Sequence, residues 1–125
     1  MPEHHFSPLL HQSTAPFSHF VRHGNTGYTA GIIGQRTDDG SLVSEDVALQ
    51  CEAMMNKLKT LLGELGLGLS NILRTTIYLT DYIDFEAVNA VYARHLHEPF
   101  PVRTTVQVAA LPLGAKVQID TVVGF

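Results

Sequence analysis

Apolar residues recur at three- and four-residue steps through Val47, Cys51, Met54, Met55, Leu58, Leu61, Leu62 and Leu65. That spacing forms one stripe along an α-helix. Ser44 is the expected cap, with Glu45 and Asp46 in a first turn where the helix dipole favours carboxylates. Gly66 is placed to end the helix in a left-handed conformation. A second stripe runs through Phe85, Val88, Tyr92 and His95 or Leu96, with Asp81 or Asp84 as cap. Pro99 and Pro101 stop it.

Between and around these helices the period changes to two. Phe17 to His23 and Tyr28 to Ile33 read as strands joined at Gly24-Asn25, and Asp38-Asp39-Gly40 reads as a turn. The second strand is interrupted by Thr29, Ala30 and Gly31, small residues that let another group approach the backbone. Leu73 to Thr80 alternates, placing Leu73, Thr75, Ile77 and Leu79 on one face. The predicted order is strand, strand, helix, strand, helix, strand, strand, an α+β pattern without linker, repeat or low-complexity tract. One domain over residues 1–125 is expected.

The last two strands carry the most chemistry. Val102, Val106 and Val108 alternate in the first, and Val117, Ile119 and Val123 in the second. A hairpin across 110–114 that matches these apolar sets would gather Arg103, Thr105 and Gln107 with Gln118 and Asp120 on the opposite face. An arginine at that place either turns to solvent or offers its guanidinium fork to a carboxylate.

Composition narrows the function classes. Only 16% of the 125 residues are charged, against about 25% in an average soluble domain. The deficit points to surface hidden in an oligomer. Net charge is −4 and the eight Lys and Arg are scattered, so nucleic acid is not an expected partner. No apolar run is long enough to span a bilayer, and the N-terminal residues lack the pattern of a signal peptide. A lone Cys51 cannot form an intrachain disulfide. A cytoplasmic setting is the expectation. Cys51 lies on the apolar helix stripe, where a buried, inert thiol is expected. His95 and His97 are two apart, and His19 and His23 share a strand face, yet neither pair has the cysteine or carboxylate that completes a ligand set. No metal and no cofactor is expected.

Three segments resemble the RidA/YjgF family, also called L-PSP or imine deaminase proteins. They are 16–25 (PFSHFVRHGN) leading to 28–31 (YTAG); 74–81 (RTTIYLTD) with 84–89 (DFEAVN) and Tyr92; and 101–103 (PVR) with 111–112 (LP) and the last strand. The resemblance implies a chorismate-mutase-like fold, a mixed sheet with two helices on one face, assembled as a homotrimer with ligand clefts between protomers. It implies hydrolysis of reactive 2-imino acids or their enamine tautomers to 2-oxo acids and ammonia. Arg103 matches the family arginine that holds the substrate carboxylate, and Gly31 a small residue near the cleft. Asn89 falls in a motif whose implied role is helix-to-backbone hydrogen bonding.

Three positions depart from the family pattern. Phe17 stands where a tyrosine is common, Thr105 where a cysteine is common, and Gln118 where an acidic residue positions the attacking water. An amide can hold a water but cannot take its proton at neutral pH. Asp120, on the same strand face roughly 6.5–7 Å away, is the carboxylate that could act through a second water. Two further readings accompany the hydrolase: a non-catalytic trimer that binds small carboxylates in the same clefts, and an RNA-cleaving or translation-inhibiting protein, against which the acidic balance argues.

Overall fold

The computed structural model describes residues 1–125. Six strands form one sheet in the order β1-β2-β3-β6-β4-β5: β1 (Glu3–His5), β2 (Phe20–His23), β3 (Thr26–Thr29), β4 (Ile72–Leu79), β5 (Val102–Gln107) and β6 (Val117–Gly124). Helices α1 (Val47–Glu64) and α2 (Phe85–His95) pack on each other and on one sheet face. No helix is long and apolar enough to cross a membrane.

The predicted stripe of α1 is its buried face: Val47, Cys51, Met54, Met55, Leu58, Leu61 and Leu62 all enter the core. Complete burial of each large apolar chain contributes about 1.5–3 kcal/mol. The cap is Asp46, two residues later than expected, whose carboxylate accepts from Leu49 N–H at 3.0 Å. Ser44 instead accepts from Asp46 N–H. Gly66 follows the helix with φ +75°, the left-handed residue that the C-terminus requires. Asp81 caps the short 3₁₀ turn Tyr82–Asp84 that leads into α2.

Three expectations about the sheet are corrected. The first two strands are shorter, Phe20–His23 and Thr26–Thr29 in place of Phe17 to His23 and Tyr28 to Ile33, with Ile32 joining the sheet only through a bridge to Ile119. In β4 the register shifts between Ile72 and Arg74, so Ile72 turns inward and Leu73 is 54% exposed. A bulge adds one residue and inverts the alternation before it. More consequentially, β5 and β6 do not form a hairpin. β5 pairs parallel with β4 at the sheet edge, and β6 runs antiparallel between β3 and β4. The segment between them crosses β4 instead of turning back. Val102 and Val106 consequently face away from the helices, with Val102 62% exposed.

That topology separates the expected polar face into two. Arg103 lies level with Thr75 and Thr121, and Thr105 with Ile77 and Ile119, rows that point toward the helices. Gln118 lies level with Tyr78 and Val106, and Asp120 with Thr76 and Thr104, rows on the open face. Matching apolar sets assigned the register correctly for β6 but inverted β5, because an edge strand can present its valines outward.

Candidate functional site

On the helix side, α2 presents Phe85, Asn89 and Tyr92 at four- and three-residue steps toward the edge strand. The Arg103 guanidinium carbon sits 4.7 Å from the centre of the Tyr92 ring and 5.5 Å from that of Phe85. Its Nε donates to Thr105 Oγ1 at 2.8 Å. Tyr92 is itself fixed, its hydroxyl 2.8 Å from the buried Thr75 Oγ1. The guanidinium is thus held by a neutral acceptor and two rings, and none of the chain's ion pairs includes it. Arg103 Nη2 is buried without a partner, and so is Asn89 Oδ1. The expected backbone hydrogen bond to that Asn89 oxygen is absent.

An orphaned buried donor costs about 1–3 kcal/mol, and folded chains keep few of them. Here the donor makes no ion pair with any carboxylate of its own chain, and Asn89 of α2 also keeps an unpartnered acceptor. The guanidinium, paired with no carboxylate of its own chain, keeps the capacity to hold one supplied from outside the chain.

The second cluster lies across the sheet. Phe17, Gly31 and Gln118 line one cavity of about 690 Å³. The Gln118 amide packs against Gly31 so closely that a Cβ there would meet Gln118 Nε2 at 2.6 Å. Only glycine leaves the amide in this position, which explains the small residues expected to admit a neighbour. Phe17 is half exposed, its ring 6.0 Å from that of His19. His19 also lines the cavity, and its Nδ1 accepts from Ser7 N–H at 2.8 Å. A backbone N–H can only donate, so the neutral ring carries its proton on Nε2. Burial holds the His19 pKa below its ordinary value.

Asp120 is engaged elsewhere. Tyr78 donates its hydroxyl to Asp120 Oδ2 at 2.7 Å, and that bond pushes the phenol up to about 12. Asp120 does share the open face with Gln118 but does not line the cavity. Within one chain, therefore, Phe17, Gly31 and Gln118 come together, Arg103 and Thr105 come together, and the two groups occupy opposite faces. Cys51 is fully buried, and desolvation pushes its thiol up to about 12.

Sequence reasoning gives no site role to four residues that lie here. Asn89 and Phe85 continue the inward stripe of Tyr92, so a polar residue at that spacing was the available signal. His19 was considered only as a metal ligand. Leu113, on the cavity rim, lies between Pro112 and Gly114, a turn signature.

Residues 9–124 match the family model described as Endoribonuclease L-PSP. The chain is 37% identical over 107 residues to Reactive Intermediate Deaminase A, chloroplastic, of Arabidopsis thaliana, covering 86% of this chain and 57% of that protein. It thus spans little more than half of that relative's length. It is 36% identical over 107 residues to the 2-iminobutanoate/2-iminopropanoate deaminase of Homo sapiens, covering 86% and 78%. Among solved structures it is similar to RidA from the Antarctic bacterium Psychrobacter, with TM-score 0.93, 30% identity and coverage of 98% and 99%. It is also similar to E. coli TdcF with bound serine, with TM-score 0.90, 26% identity and coverage of 98% of each chain.

Proposed function

The chain belongs to the RidA/YjgF (endoribonuclease L-PSP) family, and from that premise we propose that it hydrolyses reactive 2-imino acids to 2-oxo acids and ammonia. The observation that carries this reading is the unpartnered Nη2 of Arg103, a buried donor aimed at no carboxylate of its own chain. A substrate carboxylate supplies the missing acceptor with two charge-assisted bonds.

In this reading residues 1–125 act as one domain, and the catalytic cleft lies between subunits of a homotrimer. Arg103 and Thr105 of one copy meet Phe17, Gly31 and Gln118 of the next, which reconciles their separation within a chain. Gln118 orients a water toward the imine carbon. Oxygen adds to carbon as the C=N π pair moves to nitrogen, and the resulting carbinolamine collapses to the C=O group and ammonia. The water's proton passes toward nitrogen, with Asp120 assisting through a second water. Only its Oδ1 remains for that role, since Oδ2 holds Tyr78. No cofactor enters these steps. Orientation by the arginine fork provides much of the rate, because it holds the electrophilic carbon in an attack geometry.

A second reading, a non-catalytic binder of small carboxylates, is favoured by Gln118, whose amide cannot accept the proton a general base would take. The net charge of −4 disfavours RNA as the substrate. The deciding experiment generates imines in situ with an amino-acid oxidase and follows their lifetime by nucleophile trapping. A shortened lifetime with catalytic amounts of protein supports hydrolysis. An unchanged lifetime together with stoichiometric carboxylate binding supports the binder.

A further inference from the structure

Ser7 holds the N-terminal segment in place, and it is fully buried. Its N–H donates to His19 Nδ1 at 2.8 Å, and its Oγ donates to Glu64 Oε2 at 2.7 Å. Ser7 Oγ also accepts from Leu9 N–H, and the Ser7 carbonyl accepts from the Gln12 amide at 2.7 Å. These bonds fold residues 7–12 into a turn that seats Leu10 in the core. Leu10, His11 and Gln12 in turn line the cavity beside Gly31 and Gln118.

One of these bonds depends on a ring nitrogen that carries no proton. His19 accepts at Nδ1 only while neutral, because both nitrogens of the imidazolium carry hydrogen. A protonated His19 would set its N–H against that of Ser7, two donors 2.8 Å apart with no acceptor between them. Neither can turn to water where it stands. Ser7 and His19 are both buried, and the rings of Phe6 and Phe17 flank the imidazole with centroids 6.1 and 6.0 Å away. Burial is the strongest influence on the ring and disfavours its charge; the His11 backbone favours it, His5 disfavours it and Glu64 favours it more weakly. The His19 pKa is lowered as a result, so the bond is intact above the ordinary value of 6.5 and is lost as pH falls toward the folded value. The neighbouring tether answers acid in the opposite sense. His5 Nε2 lies 2.8 Å from Glu64 Oε1, a contact that becomes a charged hydrogen bond once His5 gains a proton. β1 therefore stays tied to α1 while residues 7–12 lose their hold.

We propose that His19 is a pH-sensitive latch, which holds residues 7–12 against the fold when neutral and releases them on acidification. The release withdraws Leu10, His11 and Gln12 from the cavity wall. The latch thus reaches the candidate site without depending on the reaction performed there.

The test follows amide hydrogen exchange by NMR at pH 7.5 and 5.0, each rate taken relative to an unstructured peptide at the same pH. Protection of the Ser7, Leu9 and Leu10 amides should fall by about 5- to 30-fold, since one imidazole shifts an opening equilibrium by at most about tenfold per pH unit below its open-state value. At both pH values these amides should exchange faster than those of Leu58, Leu61 and Leu62 in α1, as local opening requires. His19→Gln, whose side-chain oxygen accepts at any pH, should keep the protection at pH 7.5 and lose the response to acid. His5→Gln should leave the response in place. A response that survives His19→Gln, or one that disappears in His5→Gln, overturns the latch. So does unchanged protection between the two pH values, or segment protection equal to that of α1, which makes the loss global unfolding. Where His19→Gln does not fold, the imidazole nitrogen resonances of the native protein decide. Nδ1 must take up its proton at the midpoint where protection is lost, and a separate midpoint overturns the proposal.

Discussion

Replacing Arg103 separates ligand binding from stability, because the same guanidinium affects the two in different directions. A carboxylate seated on its fork gains two charged hydrogen bonds, each worth about 1.5–3 kcal/mol. Arg103→Ala is therefore expected to lower kcat/KM by about 10²- to 10⁴-fold. Arg103→Lys keeps a cation but loses the fork and the 2.8 Å bond from Nε to Thr105, and a loss of about 10- to 100-fold is expected. Folding responds differently. Truncation gives up the Thr105 bond and ring contacts worth about 0.5–2 kcal/mol. It also removes an orphaned buried donor whose cost is about 1–3 kcal/mol. The two nearly offset each other, so the unfolding free energy should change by no more than about 1 kcal/mol. Imine trapping gives the first quantity and urea denaturation the second. Activity retained within threefold in Arg103→Ala, or a stability loss above about 3 kcal/mol, would refute the reasoning and make the arginine structural.

Other consequences are independent of this one. Asp120→Asn should bring the Tyr78 phenol down from about 12 toward the ordinary tyrosine range in an ultraviolet titration, since the charged acceptor that holds its proton is gone. The same variant should lose about tenfold or more in imine hydrolysis if Asp120 relays a proton; full activity discards that role. Cys51, buried and pushed up to about 12, should resist thiol reagents at pH 8 until denaturant is added, and prompt labelling of native protein would contradict its placement. His19 binds a proton less readily when folded than when unfolded. Its contribution is complete above the unfolded value near 6.5 and declines as pH falls from there toward the folded pKa, with a slope of at most about 1.4 kcal/mol per pH unit. Denaturation at pH 7.5 and 5.5 should show that loss, and His19→Gln should reduce it.

The elements set by local pattern were legible in the chain. The α1 stripe, the Gly66 terminus and the Asp39-Gly40 turn depend on neighbours within a few residues, and each appears where the spacing places it. The placement of β5 depends on tertiary pairing, which the alternation of Val102, Val106 and Val108 could not reveal. Two strands with complementary apolar sets invite a hairpin, yet the open edge of β4 offered β5 a parallel partner. That difference reversed the face of Arg103 and divided the candidate site. Arg103, Phe17, Gly31 and Gln118 were singled out through the resemblance, Arg103 and Gly31 because their residue types match the family positions and Phe17 and Gln118 because theirs depart from them. Asn89 was harder, since what marks it is an absent partner, which periodicity does not record.

The central claim is that the cleft is completed by two copies of the chain, and subunit mixing tests it most directly. Arg103→Ala lacks the anchor on one side, whereas Gly31→Val displaces the Gln118 amide that Gly31 accommodates on the other. Each variant alone should be inactive and folded. Co-refolded in equal amounts as a random trimer, they should regain about a quarter of native activity, because about one interface in four joins an intact Arg103 to an intact Gly31. Activity remaining at the level of the separate variants would contradict the account and return the site to a single chain.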